Sequence, residues 1–249
     1  MTQFSPPEQD KEYLLRYSRI FENKAEAEQY LYDSWERMQV VLQWLQMLQG
    51  KGVKKVLELG SNPYYLTLLM KKYFVFDLTL ANFFGDSKQN GPQTHVVENG
   101  TEKHQFDFNH FNLEVDRFPY EDSSFDCVIF CEIVEHLLLS ADFPTSEIMR
   151  ILKPGGYVIV TTPNAARLAN LVRLMKGKNI YADYSKHGIY GRHNREYTLP
   201  EIVALLERHH FRIVDTKVQN IYPHPLKSRI LQALRPGTWY EHLFVLAQK

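Results

Sequence analysis

An α/β fold with a doubly wound parallel sheet is predicted by three features of this 249-residue chain. Short apolar runs at residues 53–59, 74–81, 125–130 and 157–161 have the length and polar flanks of buried strands. Segments with helical periodicity lie between them, and strands that alternate with helices build a parallel sheet with helices on its faces. The first run ends at Glu58-Leu59-Gly60, where a tight turn opens a helix and Gly60 removes the Cβ that would keep a ligand away from the backbone.

Residues 8–49 read as helical because Leu31, Trp35, Met38, Leu42, Leu45 and Leu48 recur at spacings of three and four; Gly50 and Gly52 end the run. Strand 53–59 is followed by a turn and a helix over 64–72. Residues 74–81 form a second strand and 104–112 a weaker third one, interrupted by polar side chains. The run 125–130 leads into a helix expected to begin near Glu132, and residues 146–152 close a helix. Lys153-Pro154-Gly155-Gly156 is a turn before strand 157–161. After Pro163 come a helix at 165–176, a Tyr- and His-rich connector to Thr198, a helix at 199–209 and two late strands at 211–218 and 239–247. The chain reads as a single domain, 1–249: an N-terminal helical segment (1–52), a core (53–163), a lid (164–198) and a C-terminal helix with strands (199–249).

Lys plus Arg and Asp plus Glu number 29 each, so total charge calls for neither nucleic acid nor an anionic membrane. Locally the balance fails. Between residues 164 and 198, Arg167, Arg173, Lys176, Lys178, Lys186, Arg192 and Arg195 face only Asp183 and Glu196, a surface suited to an anionic substrate. Cys127 and Cys131 sit four apart around a strand end, a poor geometry for a mutual disulfide, which fits a reducing compartment. The N-terminus has neither a basic nor an apolar leader region, and no run approaches the length of a membrane span, so a soluble, cytoplasmic protein is expected.

The run 56–67 is followed by Phe118-Pro119-Tyr120-Glu121-Asp122-Ser123-Ser124-Phe125-Asp126, Glu135-His136-Leu137 and Leu152-Lys153-Pro154-Gly155-Gly156. In this order and spacing, over residues 53–163, the series resembles the motifs of class I S-adenosylmethionine-dependent methyltransferases. The resemblance implies a Rossmann-like, seven-stranded sheet whose last strand, here 239–247, inserts antiparallel, with the lid between strands five and six. It also implies S-adenosylmethionine as cofactor, held by Glu58, Gly60, Ser61, Asn62 and Tyr64 at the first turn, by Asn82 at the ribose, by Asn112 and Leu113 at the adenine, and by Cys131 beside the methionine moiety. The Gly-x-Gly-x-x-Gly of dinucleotide-dependent dehydrogenases is absent. Two departures stand out: Asn62 and Tyr64 replace the second and third glycines of the family's turn, and Asn82 replaces the acidic residue expected at the ribose. Tyr64 must therefore lie beside the methionine tail or turn away.

Glu132, Glu135 and His136 are spaced to share one helix face. His193-Asn194-Arg195-Glu196-Tyr197-Thr198 is similar to the His-x-x-Glu-aromatic-Thr segment of small-RNA 2′-O-methyltransferases, which also carry Glu-x-x-Glu-His. That resemblance implies a divalent metal, Mg²⁺ or Mn²⁺, on Glu132, Glu135, His136 and His193. Glu132, His136 and His193 are the candidate catalytic residues, with an imidazole as general base if no metal is held. The expected activity is O-methylation of a small molecule or carbohydrate, with an anionic group meeting the basic lid. An RNA-terminal 2′-O-methyltransferase is the second reading, against which the neutral net charge counts. A non-catalytic cofactor-binding protein, motivated by Asn62, Tyr64 and Asn82, is the third. The segment 219–238, with Lys227, Arg229 and Arg235 and apolar residues at helical spacing, reads first as a packing helix; covering the site, pairing with another subunit or touching a membrane surface are the alternatives.

Overall fold

The computed structural model describes residues 5–18, 23–85, 88–98, 102–181, 188–221, 230, 233–234 and 237–249. Asp183, Lys186, Lys227, Arg229 and Arg235, singled out above, lie outside them. The chain divides into two compact units, Met1–Phe111 and Asn112–Lys249.

In the first unit the expected N-terminal helical run is two helices, α1 (Glu8–Ser18) and α2 (Lys24–Gly50). The Asn23 side chain accepts the Glu26 N–H, satisfying a donor that the first turn of α2 leaves without an intrahelical acceptor. All six apolar residues of the predicted stripe, Leu31 through Leu48, are buried. Then come β1 (Lys55–Leu59), α3 (Tyr65–Tyr73), β2 (Asp77–Asn82), β3 (Gly91–Glu98) and β4 (Lys103–His110). β2 runs parallel to β1 and to β4, whereas β3 is antiparallel to β4 from Gly91 opposite His110 to Glu98 opposite Lys103. β3 is a strand beyond the expected seven. It buries only Val97 and carries Pro92, so it lacks the apolar alternation that marks a strand in sequence; its order β3-β4-β2-β1 makes it an edge, where such a pattern is tolerated.

In the second unit the strands are β5 (Phe125–Cys131), β6 (Leu152–Pro163), β7 (Arg212–Gln219) and β8 (His242–Gln248), in the order β5-β6-β8-β7. β5 and β6 are parallel. β8 pairs antiparallel with both β6 and β7, which is the inserted last strand expected above. The helices are α4 (Asp142–Ile151), α5 (Leu168–Met175) and α6 (Leu199–Arg208). α6 starts on a capping box in which Thr198 and Glu201 satisfy each other's backbone N–H, and it buries Ile202, Leu205 and Leu206. Ile148, Phe130, Val158 and Phe211 meet them in an apolar layer. Arg150 binds Glu147, the Phe118 and Tyr120 carbonyls and Asp122, so the motif that begins at Phe118 is tied to α4.

One expected element is replaced. Glu132, Glu135 and His136 do not share a helix face, because a single 3-10 turn (Val134–His136) stands there and α4 begins only at Asp142. The Glu132 N–H donates to the Thr161 carbonyl at 2.9 Å with φ at +54°, a left-handed backbone that a helix cannot continue.

Candidate functional site

In the first unit, Gly60 stands at the end of β1 with φ +66° and an exposed backbone. The turn is held from within. The Gly60 and Ser61 N–H groups donate to the Ala81 carbonyl, Tyr64 N–H donates to the Ser61 carbonyl, and Asn62 N–H donates to Asn82 Oδ1 at 2.9 Å. The Asn82 amide nitrogen donates to Ser61 Oγ at 3.0 Å. Asn82, predicted to meet a ribose, ends β2 with its side chain buried and bonded to the turn itself. Tyr64 turns away from the exposed lip: it is fully buried, its ring stacks on Phe106 at 3.8 Å between centroids, and its hydroxyl lies 3.2 Å from His95 Nδ1. Its φ of +70° is where the family pattern has glycine. A stacked, buried ring holds the backbone in that conformation in place of a glycine. Behind the turn Glu58 is buried and accepts the Thr67 hydroxyl; burial pushes its carboxyl up to about 8, against the pull of Thr67 and Lys71. The exposed Gly60 backbone fits close approach of a ligand, and the internally bonded turn is pre-organised for it.

In the second unit, the Asn112 side chain accepts the Glu114 N–H, and Asp116 accepts the Asn112 N–H, so this segment is a closed turn with Leu113 half-buried in it. Cys131 ends β5 partly exposed, and both cysteines are free thiols. Glu114, which the sequence did not single out, is buried and accepts the Leu138 and Leu139 N–H groups, fixing the chain just after His136.

Three of the four predicted metal-binding residues come together. Ligand atoms of Glu135, His136 and His193 all lie within 4.8 Å of one another. Glu135 is fully buried, and its Oε2 accepts the Thr162 hydroxyl at 3.0 Å. Asn194 and Arg195 donate backbone N–H groups to the Glu135 carbonyl, and this brings the distant His193 segment to the 3-10 turn. His136 Nδ1 lies 2.9 Å from the Arg192 carbonyl; a carbonyl only accepts, so Nδ1 carries the proton and Nε2 keeps its lone pair. Burial, then the neighbouring His193, lowers the His136 pKa and keeps the ring neutral. His193 Nδ1 is oriented in the same way by Glu196 Oε1 at 3.2 Å. Each imidazole therefore has one nitrogen fixed by an oxygen acceptor, the arrangement that outer partners give to metal-binding histidines.

Glu132 does not join the trio. Its Oε1 accepts the Thr161 hydroxyl at 2.7 Å and His242 Nε2–H at 2.8 Å, and His242 is buried at the start of β8. Nothing near His242 in the chain marks it; only the antiparallel register, which sets it opposite Pro163, brings it to the end of β6. Part of the basic surplus is neutralised locally. Arg167 makes a bidentate pair with Glu196 at 2.6 and 2.8 Å, and Arg195 pairs with Glu201 at 2.9 Å.

A family model described as a methyltransferase domain matches residues 30–216. Over 110 residues the chain is 33% identical to a probable S-adenosylmethionine-dependent methyltransferase of Mycolicibacterium smegmatis, a stretch that covers 44% of this chain and only 37% of that protein. A SAM-dependent methyltransferase from Archaeoglobus fulgidus superposes with a TM-score of 0.53 at 15% identity, over 88% of this chain and 99% of the other. One from Methanosarcina mazei gives 0.51 at 17% identity, over 79% and 92%. At these identities the structural likeness is one of fold.

Proposed function

Because this chain belongs to the family of methyltransferase domains, we propose that it transfers the methyl group of S-adenosylmethionine to a hydroxyl oxygen on a small molecule or carbohydrate. The observation that carries the choice of an oxygen acceptor is the trio Glu135, His136 and His193, whose two imidazoles are each oriented by a hydrogen bond at Nδ1. When bound, S-adenosylmethionine supplies an electrophilic methyl carbon, and a divalent ion of the Mg²⁺ or Mn²⁺ kind would acidify a hydroxyl and leave positions for substrate oxygens.

The protein's own groups then have separate tasks. The Gly60 turn admits the cofactor's methionine end. Glu135, His136 and His193 would orient the acceptor, while Glu132, held by Thr161 and His242, would take the hydroxyl proton. Without an ion, His136 or His193 takes that proton. The second reading, 2′-O-methylation of an RNA terminus, uses the same trio; equal totals of acidic and basic residues give it little electrostatic support.

Calorimetry with S-adenosylmethionine tests the cofactor. Gly60→Val is expected to lower affinity at least about tenfold, since a β-branched residue at φ +66° is strained by roughly 1–2 kcal/mol and fills the lip. Failure of the unaltered protein to bind at millimolar concentration would sink the reading. Mn²⁺ titration followed by electron paramagnetic resonance tests the trio. Glu135→Gln is expected to weaken Mn²⁺ more than about tenfold while leaving cofactor affinity in place. Equal Mn²⁺ affinity in both proteins would remove the metal from the scheme.

A further inference from the structure

We propose that the C-terminal end of α5 docks on an anionic lipid surface. Helix α5 reads Leu-Ala-Asn-Leu-Val-Arg-Leu-Met, and five of its eight residues are large and apolar. The fold uses few of them: only Leu168 and Asn170 are buried, while Leu174 is 55% and Met175 77% exposed. A helix that serves the interior alone turns its apolar residues inward and its polar ones out. Here the last turn does the reverse, presenting two long apolar side chains at its tip.

The tip is built rather than frayed. Gly177, at φ +67°, closes the helix in a Schellman arrangement, with Gly177 N–H donating to the Leu174 carbonyl at 2.9 Å and Lys178 N–H to the Arg173 carbonyl at 2.9 Å. Arg173 Nε caps the Asn179 carbonyl at 3.0 Å, which fixes its guanidinium beside the turn. Arg173, Lys176 and Lys178 thus flank Leu174 and Met175 in the chain, and all five are exposed. No acidic residue occurs between 165 and 181. Among the described residues, no carboxylate pairs with Lys176 or Lys178.

Cations at a helix C-terminus suit the helix dipole, and that accounts for the charge by itself. It does not account for the apolar pair among the cations. Apolar side chains that can enter the acyl boundary, ringed by Lys and Arg that meet anionic headgroups, are the composition of an interfacial anchor. Among the described residues no helix is long and apolar enough to cross a membrane, so the contact is with the surface. The charge complementarity selects an anionic leaflet. The inference does not depend on the acceptor proposed above.

The test is co-sedimentation of the full chain with phosphatidylcholine vesicles, with and without phosphatidylglycerol. Binding is expected only with phosphatidylglycerol, weakened by added salt. L174S/M175S and K176E/K178E are each expected to lower it at least about tenfold, with thermal melting unchanged because none of these side chains is buried. Absence of binding to anionic vesicles overturns the proposal. So does binding that both double variants retain, which would place the contact elsewhere. Loss in K176E/K178E alone also overturns it, since a surface that needs only charge is a site for a soluble polyanion such as nucleic acid. Calorimetry with S-adenosylmethionine on the same variants separates this result from the cofactor reading, because cofactor binding should persist in both.

Discussion

Glu58→Gln is expected to widen its stability advantage over the unaltered protein by about 4 kcal/mol between pH 5 and pH 8, as read from urea denaturation at each pH. The cause is burial of a carboxyl group at the end of β1, which raises its pKa to about 8. A group with a raised folded pKa contributes stability that is complete below its unfolded value of 4.5. That contribution is lost as pH rises towards 8, since the unfolded chain ionises while the folded one holds the proton. Gln keeps the shape and an oxygen for the Thr67 hydroxyl but has no proton to lose, so its curve lacks this limb. Parallel curves for the two proteins would mean that Glu58 titrates normally in the fold.

Glu196→Ala is expected to remove about 3 kcal/mol at neutral pH, because it leaves Arg167 without its bidentate partner and Asn170 with only one of its two acceptors, the Ala165 carbonyl, both in a largely buried setting. Burial by itself would raise the Glu196 pKa, yet hydrogen bonds from His193 and Arg167, the Arg167 charge and Asn170 outweigh it and hold the carboxyl at about 2. The pH dependence is opposite to that of Glu58. Stabilisation from a depressed carboxylate is present above 4.5 and is lost as pH falls through 2, so the unaltered protein has an acid limb of about 3 kcal/mol that Glu196→Gln lacks. Glu196→Ala also releases His193 Nδ1, and its Mn²⁺ affinity should fall about tenfold or more. An alanine variant within 1 kcal/mol of the unaltered protein in chemical denaturation would show that the pair adds no net stability, as some surface pairs do not.

The two carboxylates were read from the sequence with different success. Glu58 announced itself, because an acidic residue and a glycine after an apolar run form a local pattern. Glu196 appeared only in the local charge balance and inside a motif resemblance, and its role as the partner of Arg167, 29 residues away, was not visible. The Leu31-to-Leu48 stripe was legible for the same reason as Glu58: helical burial has a short period, so the pattern lies within one stretch of chain. β3 was not, since an edge strand buries one face poorly and borrows its hydrogen bonds from β4.

Local chemistry in the sequence alone determined the alternation of strands and helices and the turn at Gly60, and a motif resemblance supplied the residue types of the Glu135, His136 and His193 trio. Tertiary structure alone decided that Tyr64 stacks on Phe106 away from the turn's exposed lip. It also decided that Glu132 leaves the helical path to pair with Thr161, and that His242 reaches that carboxylate from 110 residues away. Propensities and turn signals act over a few residues. The partners of a buried polar atom are fixed by which strands lie side by side, and that register is a property of the folded chain.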